Sequence, residues 1–133
     1  MTTNAFAGVG TLFKRGMVSV AEINSISGPN MTRDTIDVTS LDSTGGYREF
    51  IPGFRDSGEI TLNCNWALSE YSDWLADFQS DVLVSYTIVL ANTEATEISF
   101  SAYCTGLSTA IPMDDKVTND VTLKISGPVT ISS

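Results

Sequence analysis

Polar and apolar residues alternate along most of this chain. The alternation is cleanest over residues 59–66, where Ile60, Leu62, Cys64 and Trp66 fall on one face and Glu59, Thr61, Asn63 and Asn65 on the other. A period of two marks a half-buried strand, so the first set is expected to face inward. Residues 82–90 (Val82, Val84, Tyr86, Ile88, Leu90) and 97–107 (Ile98, Phe100, Ala102, Cys104) alternate in the same way. The linker between them, 91–95, has the length of a hairpin turn. Residues 117–126 set Val121, Leu123 and Ile125 against Asp120, Thr122 and Lys124, and Gly127-Pro128 stops that run. Residues 18–27 change phase between Ala21 and Glu22, as a bulged strand would. A short run, 35–40, places Ile36 and Val38 opposite Thr35, Asp37 and Thr39.

The period changes once. Tyr71, Trp74, Leu75 and Phe78 follow helical spacing and predict one amphipathic helix, with Ser69 as its N-cap, Glu70 in its first turn, Asp73 and Asp77 on its wet face, and an end by Ser80. Six or seven strands with short connections and a single helix predict a mainly β chain. The expected architecture is an antiparallel β-sandwich or barrel with one flanking α-helix.

Two stretches do not fit a regular element. The first is a long loop, 41–55, broken by Gly45-Gly46 and Pro52-Gly53 yet carrying Tyr47, Phe50, Ile51 and Phe54. Loops of this length in compact domains are commonly functional, and these side chains must be covered either by their own domain or by another chain. The second is the first 17 residues, loosened by Gly8, Gly10 and Gly16 but bearing Phe6, Val9, Leu12 and Phe13. An arm docked on a neighbour and an edge strand of the same domain both account for it. The tail from 128 to 133 begins apolar and suits addition to a sheet edge.

Composition narrows the chemistry. A chain of 133 residues suits one domain, 1–133, and its net charge of −9 argues against affinity for nucleic-acid phosphates. There is no histidine, which removes the usual general base and the commonest metal ligand. No basic-then-apolar signal segment opens the chain, and no apolar run has the length of a membrane span. Cys64 and Cys104 read as buried free thiols or as a disulfide. Asp114-Asp115 reads as a solvated turn, and Asp34, Asp37 and Asp42 match no calcium loop. Gly8-x-Gly10 and Gly45-Gly46 lack the context of a phosphate loop, and Asn30-Met31-Thr32 is a glycosylation sequon only in form. No catalytic residue, cofactor or metal is expected. Arg33, Arg48 and Arg55 lie among Asp34, Asp42, Glu49 and Asp56 beside the loop aromatics, a mixture typical of protein–protein contacts. The expected subunit interface is Arg33, Asp34, Tyr47, Arg48, Glu49, Phe50, Ile51, Pro52, Phe54 and Arg55, together with Phe6, Leu12 and Phe13 of the N-terminal arm.

The runs Ile23-Asn24-Ser25-Ile26-Ser27-Gly28-Pro29-Asn30 and Arg33-Asp34-Thr35-Ile36-Asp37-Val38-Thr39 resemble the tail tube, or major tail, proteins of long-tailed bacteriophages. So do residues 47–58, Asp114-Asp115-Lys116-Val117 and Leu123-Lys124-Ile125-Ser126-Gly127, in order, and the likeness extends from Val18 to Gly127. The resemblance implies a structural subunit with no catalysis. Six copies would close a ring, rings would stack into a hollow tube, and loop 41–55 would reach the next ring. Implied partners are the chain itself, a tape-measure protein, tail terminator and baseplate or tip proteins, and double-stranded DNA passing without specific binding. The implied location is the virion tail, assembled in the host cytoplasm, with no membrane involved. An acidic, lysine-poor channel wall fits such a tube, and the polar-phase residues Glu22, Asn24, Asp37, Thr39, Glu59, Thr61 and Asn63 are the lumen candidates, with Asp120, Thr122 and Lys124 as alternates. The alternatives are a small β-sandwich binding module, of carbohydrate-binding or accessory virion type, and a hydrolase built on two carboxylates.

Overall fold

The computed structural model describes residues 5–20 and 22–132. The first four residues of the expected arm, Ala21 at the expected bulge and Ser133 of the tail lie outside the described residues. The elements in order are β1 (Leu12–Arg15), β2 (Val18–Val20), β3 (Ile23–Ser27), β4 (Thr32–Asp37), a 3-10 turn (Thr44–Gly46), β5 (Phe50–Asp56), β6 (Glu59–Asn65), α1 (Leu68–Gln79), β7 (Val84–Val89), β8 (Glu97–Ala110), β9 (Thr118–Ile125) and β10 (Thr130–Ser132).

One antiparallel sheet runs in the order β2-β1-β7-β8-β9-β6-β3, with β10 paired to the start of β8, where Ile131 faces Ile98. Strands β2 and β3 are the two outer strands of this path, yet only Ala21 and Glu22 separate them in sequence. A flat sheet of this order would hold them about 29 Å apart at the usual strand spacing of about 4.8 Å. Three backbone steps reach only about 11 Å. The sheet therefore curls until its edges approach each other, and Glu22, at φ 66°, makes the sharp change of direction between them. The phase change expected at Ala21 and Glu22 is thus a break between two strands rather than a bulge within one.

The inner face of the curl holds the core. Ile60, Leu62 and Cys64 from β6, Val121, Leu123 and Ile125 from β9, and Phe100, Ala102 and Cys104 from β8 are buried, as their alternation requires. Helix α1 lies against this face through Trp74. An aromatic cluster joins Trp74, Phe13, Tyr86 and Phe100, with centroids 5.5 Å apart for Phe13–Tyr86 and 6.0 Å for Trp74–Tyr86. Each fully buried large apolar side chain contributes roughly 1.5–3 kcal/mol.

Several expectations change. Phe13 is 1% exposed and belongs to the core of its own chain, because β1 pairs with β7 and turns Phe13 onto the same face as Ile88. Leu12, its neighbour in sequence, takes the outer face, so the short segment is an edge-side strand rather than a detached arm. Trp66 lies past the end of β6, 39% exposed, with its ring 5.5 Å from that of Tyr71. Helix α1 begins after Ala67, not Ser69, and among the stripe residues only Trp74 is fully buried; Leu75 and Phe78 stay exposed. Asp77, expected on the wet face, is 4% exposed, because Arg15 and Tyr86 offer it partners inside. The loop expected over 41–55 is only partly irregular. Its second half is strand β5, which pairs with β4 over Thr32–Asp37, so the irregular part is only residues 38–49. Pro52 is accommodated because this pair forms a sheet of two strands only, whose ladder shifts register between Arg33 and Thr35.

Candidate assembly surfaces

Strands β3 and β6 pair within the main sheet, and their continuations β4 and β5 pair with each other outside it. The four segments are one long hairpin with an elbow. At the elbow two glycines come against backbone. A Cβ on Gly58 would collide with the Asn30 carbonyl oxygen, and one on Gly28 with that of Glu59. Both glycines also have positive φ, 81° and 104°. Asp56 accepts a 2.8 Å bond from the Gly58 amide, and Lys124 Nζ lies 3.3 Å from its carboxylate, so its pKa is lowered, first by the backbone bond and then by the lysine.

Beyond the elbow every residue of β4 is exposed, and β5 buries only Gly53 partly. Arg33 and Asp34 lie on β4, Tyr47, Arg48 and Glu49 on the connecting loop, and Phe50, Ile51, Pro52, Phe54 and Arg55 on β5. The structure therefore brings ten of the thirteen expected interface residues onto one projecting element. Phe54 is 89% exposed and Tyr47 77%; Met31, Ile36 and Leu41 are exposed beside them. Phe6 and Leu12 are exposed elsewhere, Leu12 on the outer side of the sheet opposite Val89, and Phe13 is in the core. The distal hairpin is tied internally: Asp37 accepts bonds from the Thr39 amide at 2.8 Å and from Arg48 at 3.0 Å, and the Glu49 amide donates to Thr39 Oγ1 at 2.7 Å. These bonds, led by those from Thr39, lower the pKa of Asp37.

The lumen candidates divide. Glu59, Thr61 and Asn63 face Lys124, Thr122 and Asp120 in register across β6 and β9, so the candidates and their alternates form one outer face. Asn24 joins it from β3, donating to Asn63 at 3.0 Å and to Asn65 at 2.9 Å. Asn65 donates to Glu22 at 2.8 Å, Asn63 donates to Asp120 at 2.7 Å, and Lys116 reaches Asn24 at 3.3 Å. Asp37 and Thr39 sit instead on the hairpin, away from this face. The same side of the sheet continues across β8 and β7 as hydroxyls, with Ser85 and Ser101 3.5 Å apart and Thr87 and Ser99 3.4 Å apart. The expected set omits these serines and threonines, although the alternation that reveals Thr61 also reveals them.

Inside the curl, Arg15 donates from both Nε, at 2.7 Å, and its terminal nitrogen to the carboxylate of Asp77, and Tyr86 Oη donates to the same carboxylate at 2.8 Å. Arg15 is raised above its ordinary range by this bond, and burial pushes the Tyr86 hydroxyl upward, with Asp77 adding to it. Cys64 and Cys104 are free and buried, and burial pushes each thiol up to about 11. Among the described residues no cluster of three or more Cys, Asp or Glu side chains converges to hold a metal ion, and no helix is long and apolar enough to cross a membrane.

The family described as "Lambda phage tail tube protein, TTP" matches residues 2–132. No curated protein matches the sequence. Among solved structures, the fold superposes on a chain of the sheath/tube terminator of an extracellular contractile injection system, PVC, in its extended state, with TM-score 0.80 and 21% identity over all of both chains. A chain of the sheath-tube complex of the same system gives TM-score 0.73 at 24% identity, covering 92% of this chain and 88% of that one. A chain from the tail of an empty gene transfer agent particle, refined with C6 symmetry, gives TM-score 0.75 at 18% identity, covering 97% and 100%.

Proposed function

The chain belongs to the lambda phage tail tube protein family, and from that premise we propose that its copies close six-membered rings that stack into a hollow, non-catalytic tube, with the β4–β5 hairpin bridging successive rings. Membership decides between tube subunit and binding module in favour of the subunit. The observation that carries the stacking is the hairpin itself. It extends past the elbow with Tyr47 and Phe54 largely exposed and Phe50 and Ile51 about half exposed, and large apolar side chains gathered in solvent on one projecting element mark an interaction site. Six-fold closure is supported by the C6 tail of the gene transfer agent, whose chain shares the fold.

The outer sides of β2 and β3 have no strand partner among the described residues. Pairing between neighbouring copies would cover such edges. The polar face of β3, β6 and β9 is the proposed channel wall, with Glu22, Asn24, Glu59, Thr61 and Asn63 facing the lumen. Its acids repel phosphate, so DNA passes without the counterion release that drives binding. A tape-measure protein inside the tube, terminator and baseplate or tip proteins at its ends, a place in the virion tail and assembly in the host cytoplasm complete this reading. The test is electron microscopy of the purified chain at rising concentration. Rings or tubes are expected, while Phe54→Ala is expected to leave a folded chain that forms no tubes. A strict monomer under all conditions would overturn the assembly.

A further inference from the structure

Where the elbow meets the end of β9, the surface opens into a groove of about 810 Å³. Met31 and Arg33 line it from β4 and the residue before it, Arg55 from β5, and Ile125 and Val129 from the end of β9 and the turn beyond. Arg33 and Arg55 are register partners on adjacent strands, an arrangement that repels. Their charges are not answered locally. The Arg33 side chain donates one long bond, 3.4 Å, to the Gly53 carbonyl, and the Arg55 side chain has no hydrogen bond or ion pair among the described residues. Asp56, the acid that lines the groove, is already engaged by Gly58 and Lys124. Two guanidinium groups over an apolar wall are thus held open in a chain of net charge −9.

The complementary surface lies on the same chain at the other end of the same strand. The turn between β8 and β9 presents Ile111 and Met113, 78% and 103% exposed, followed by Asp114-Asp115, the only adjacent acids in the sequence. Lys116, the base beside them, is turned back onto Asn24. Strand β9 has eight residues, which at about 3.3 Å each sets this turn about 25 Å from the groove. One chain therefore cannot fill its own groove. A second copy can, and the contact is then heterologous: the pair keeps one turn and one groove free, and the association propagates head to tail.

Resting on the tube reading above, we propose that the Ile111–Asp115 turn of one copy docks in the Arg33/Arg55 groove of the next. Met113 would pack against Met31 and Val129, and the two carboxylates would pair with the two guanidinium forks. In the experiment, Met31→Cys and Met113→Cys are placed together in the full chain, and assembled material is treated with a short bis-maleimide cross-linker. The native cysteines are buried. A ladder of covalent multimers on a denaturing gel is the expected result, with neither single-cysteine variant giving more than a linked pair. Tubes visible by electron microscopy without a ladder would overturn the contact and leave the tube intact. Failure of the unmodified chain to assemble at all would overturn the tube and this contact with it. In a second arm, R33E/R55E and D114R/D115R are each expected to abolish sedimentable assemblies and the combined four-site swap to restore them. Wild-type assembly by either double variant would refute the pairing.

Discussion

A carboxylate on the buried side of a helix is tolerated only with partners that match it. Asp77 has three donors from two side chains: both forks of Arg15 and the hydroxyl of Tyr86. The pairing fastens three elements, because Arg15 is on β1, Asp77 on α1 and Tyr86 on β7. Replacing Asp77 with Leu would strand a guanidinium and a buried hydroxyl. Since Arg15 keeps about a third of its side chain in solvent, the expected cost is about 2 kcal/mol rather than the 3–5 kcal/mol of a fully buried pair. Urea denaturation of the unassembled chain measures it, and an unchanged midpoint would show that the pair does not hold the helix to the sheet. This arrangement is invisible to periodicity. Helical spacing in the sequence selects Tyr71, Trp74, Leu75 and Phe78, whereas the face that packs is the one carrying Trp74 and Asp77. A pattern of hydrophobicity assigns an aspartate to water, and only the position of Arg15, 62 residues earlier, changes that assignment.

At the scale of elements, the hairpin depends on its elbow. Gly58→Ala sets a methyl group against the Asn30 carbonyl oxygen at a backbone angle that L side chains avoid. The expected result is an intact sheet with a displaced hairpin. Amide hydrogen exchange should rise across β4 and β5 but not across β8 and β9, and tubes should be lost. Equal exchange in both regions would mean that the elbow does not govern the hairpin. Acid should act on the same element. The folded pKa values of Asp37 and Asp56 lie below the ordinary value of about 3.9. Their stabilising contribution is therefore complete above about pH 4 and is lost as pH falls through the lowered folded values. Hairpin amides should lose protection in that window before the core strands do, which exchange measured from pH 5 to pH 2 would reveal. The core strands were legible because their alternation is regular: residues 118–125 and 59–65 match their predicted runs closely. Strand β5 was not, because Pro52 and Gly53 are signals of a turn, and a two-stranded arm tolerates both where a wider sheet would not. For the same reason composition singles out the interface candidates without revealing the hairpin that carries ten of them.

For the whole molecule, the division of surfaces follows from the curl. The inner side holds the aromatic core and the helix, the outer side is largely polar across β3, β6 and β9, and many of the exposed large apolar residues are carried by the β4–β5 arm and the turns. Glu59→Lys places a cation beside Lys124 on the outer face without touching the core. Assembly should proceed normally, while particles built from the variant should release DNA more slowly and with a steeper dependence on salt, as counterion release requires. Single-particle ejection assays at two ionic strengths compare these rates, and identical rates would remove Glu59 from the channel wall.

The outer face also has a property that its charge alone does not express. Its amide groups are engaged with one another: Asn24 with Asn63 and Asn65, Asn65 with Glu22, Asn63 with Asp120. A surface that has already committed its donors sideways has few left pointing outward: Lys116 and Lys124 are themselves tied to Asn24 and Asp56, and short hydroxyls make up much of the rest. If this face lines the proposed channel, a polymer moving along it would find few donors at which to dwell, and sliding would meet little friction. Smooth transport would then be a property of neighbour-to-neighbour bonding in the sheet, set when the chain folds.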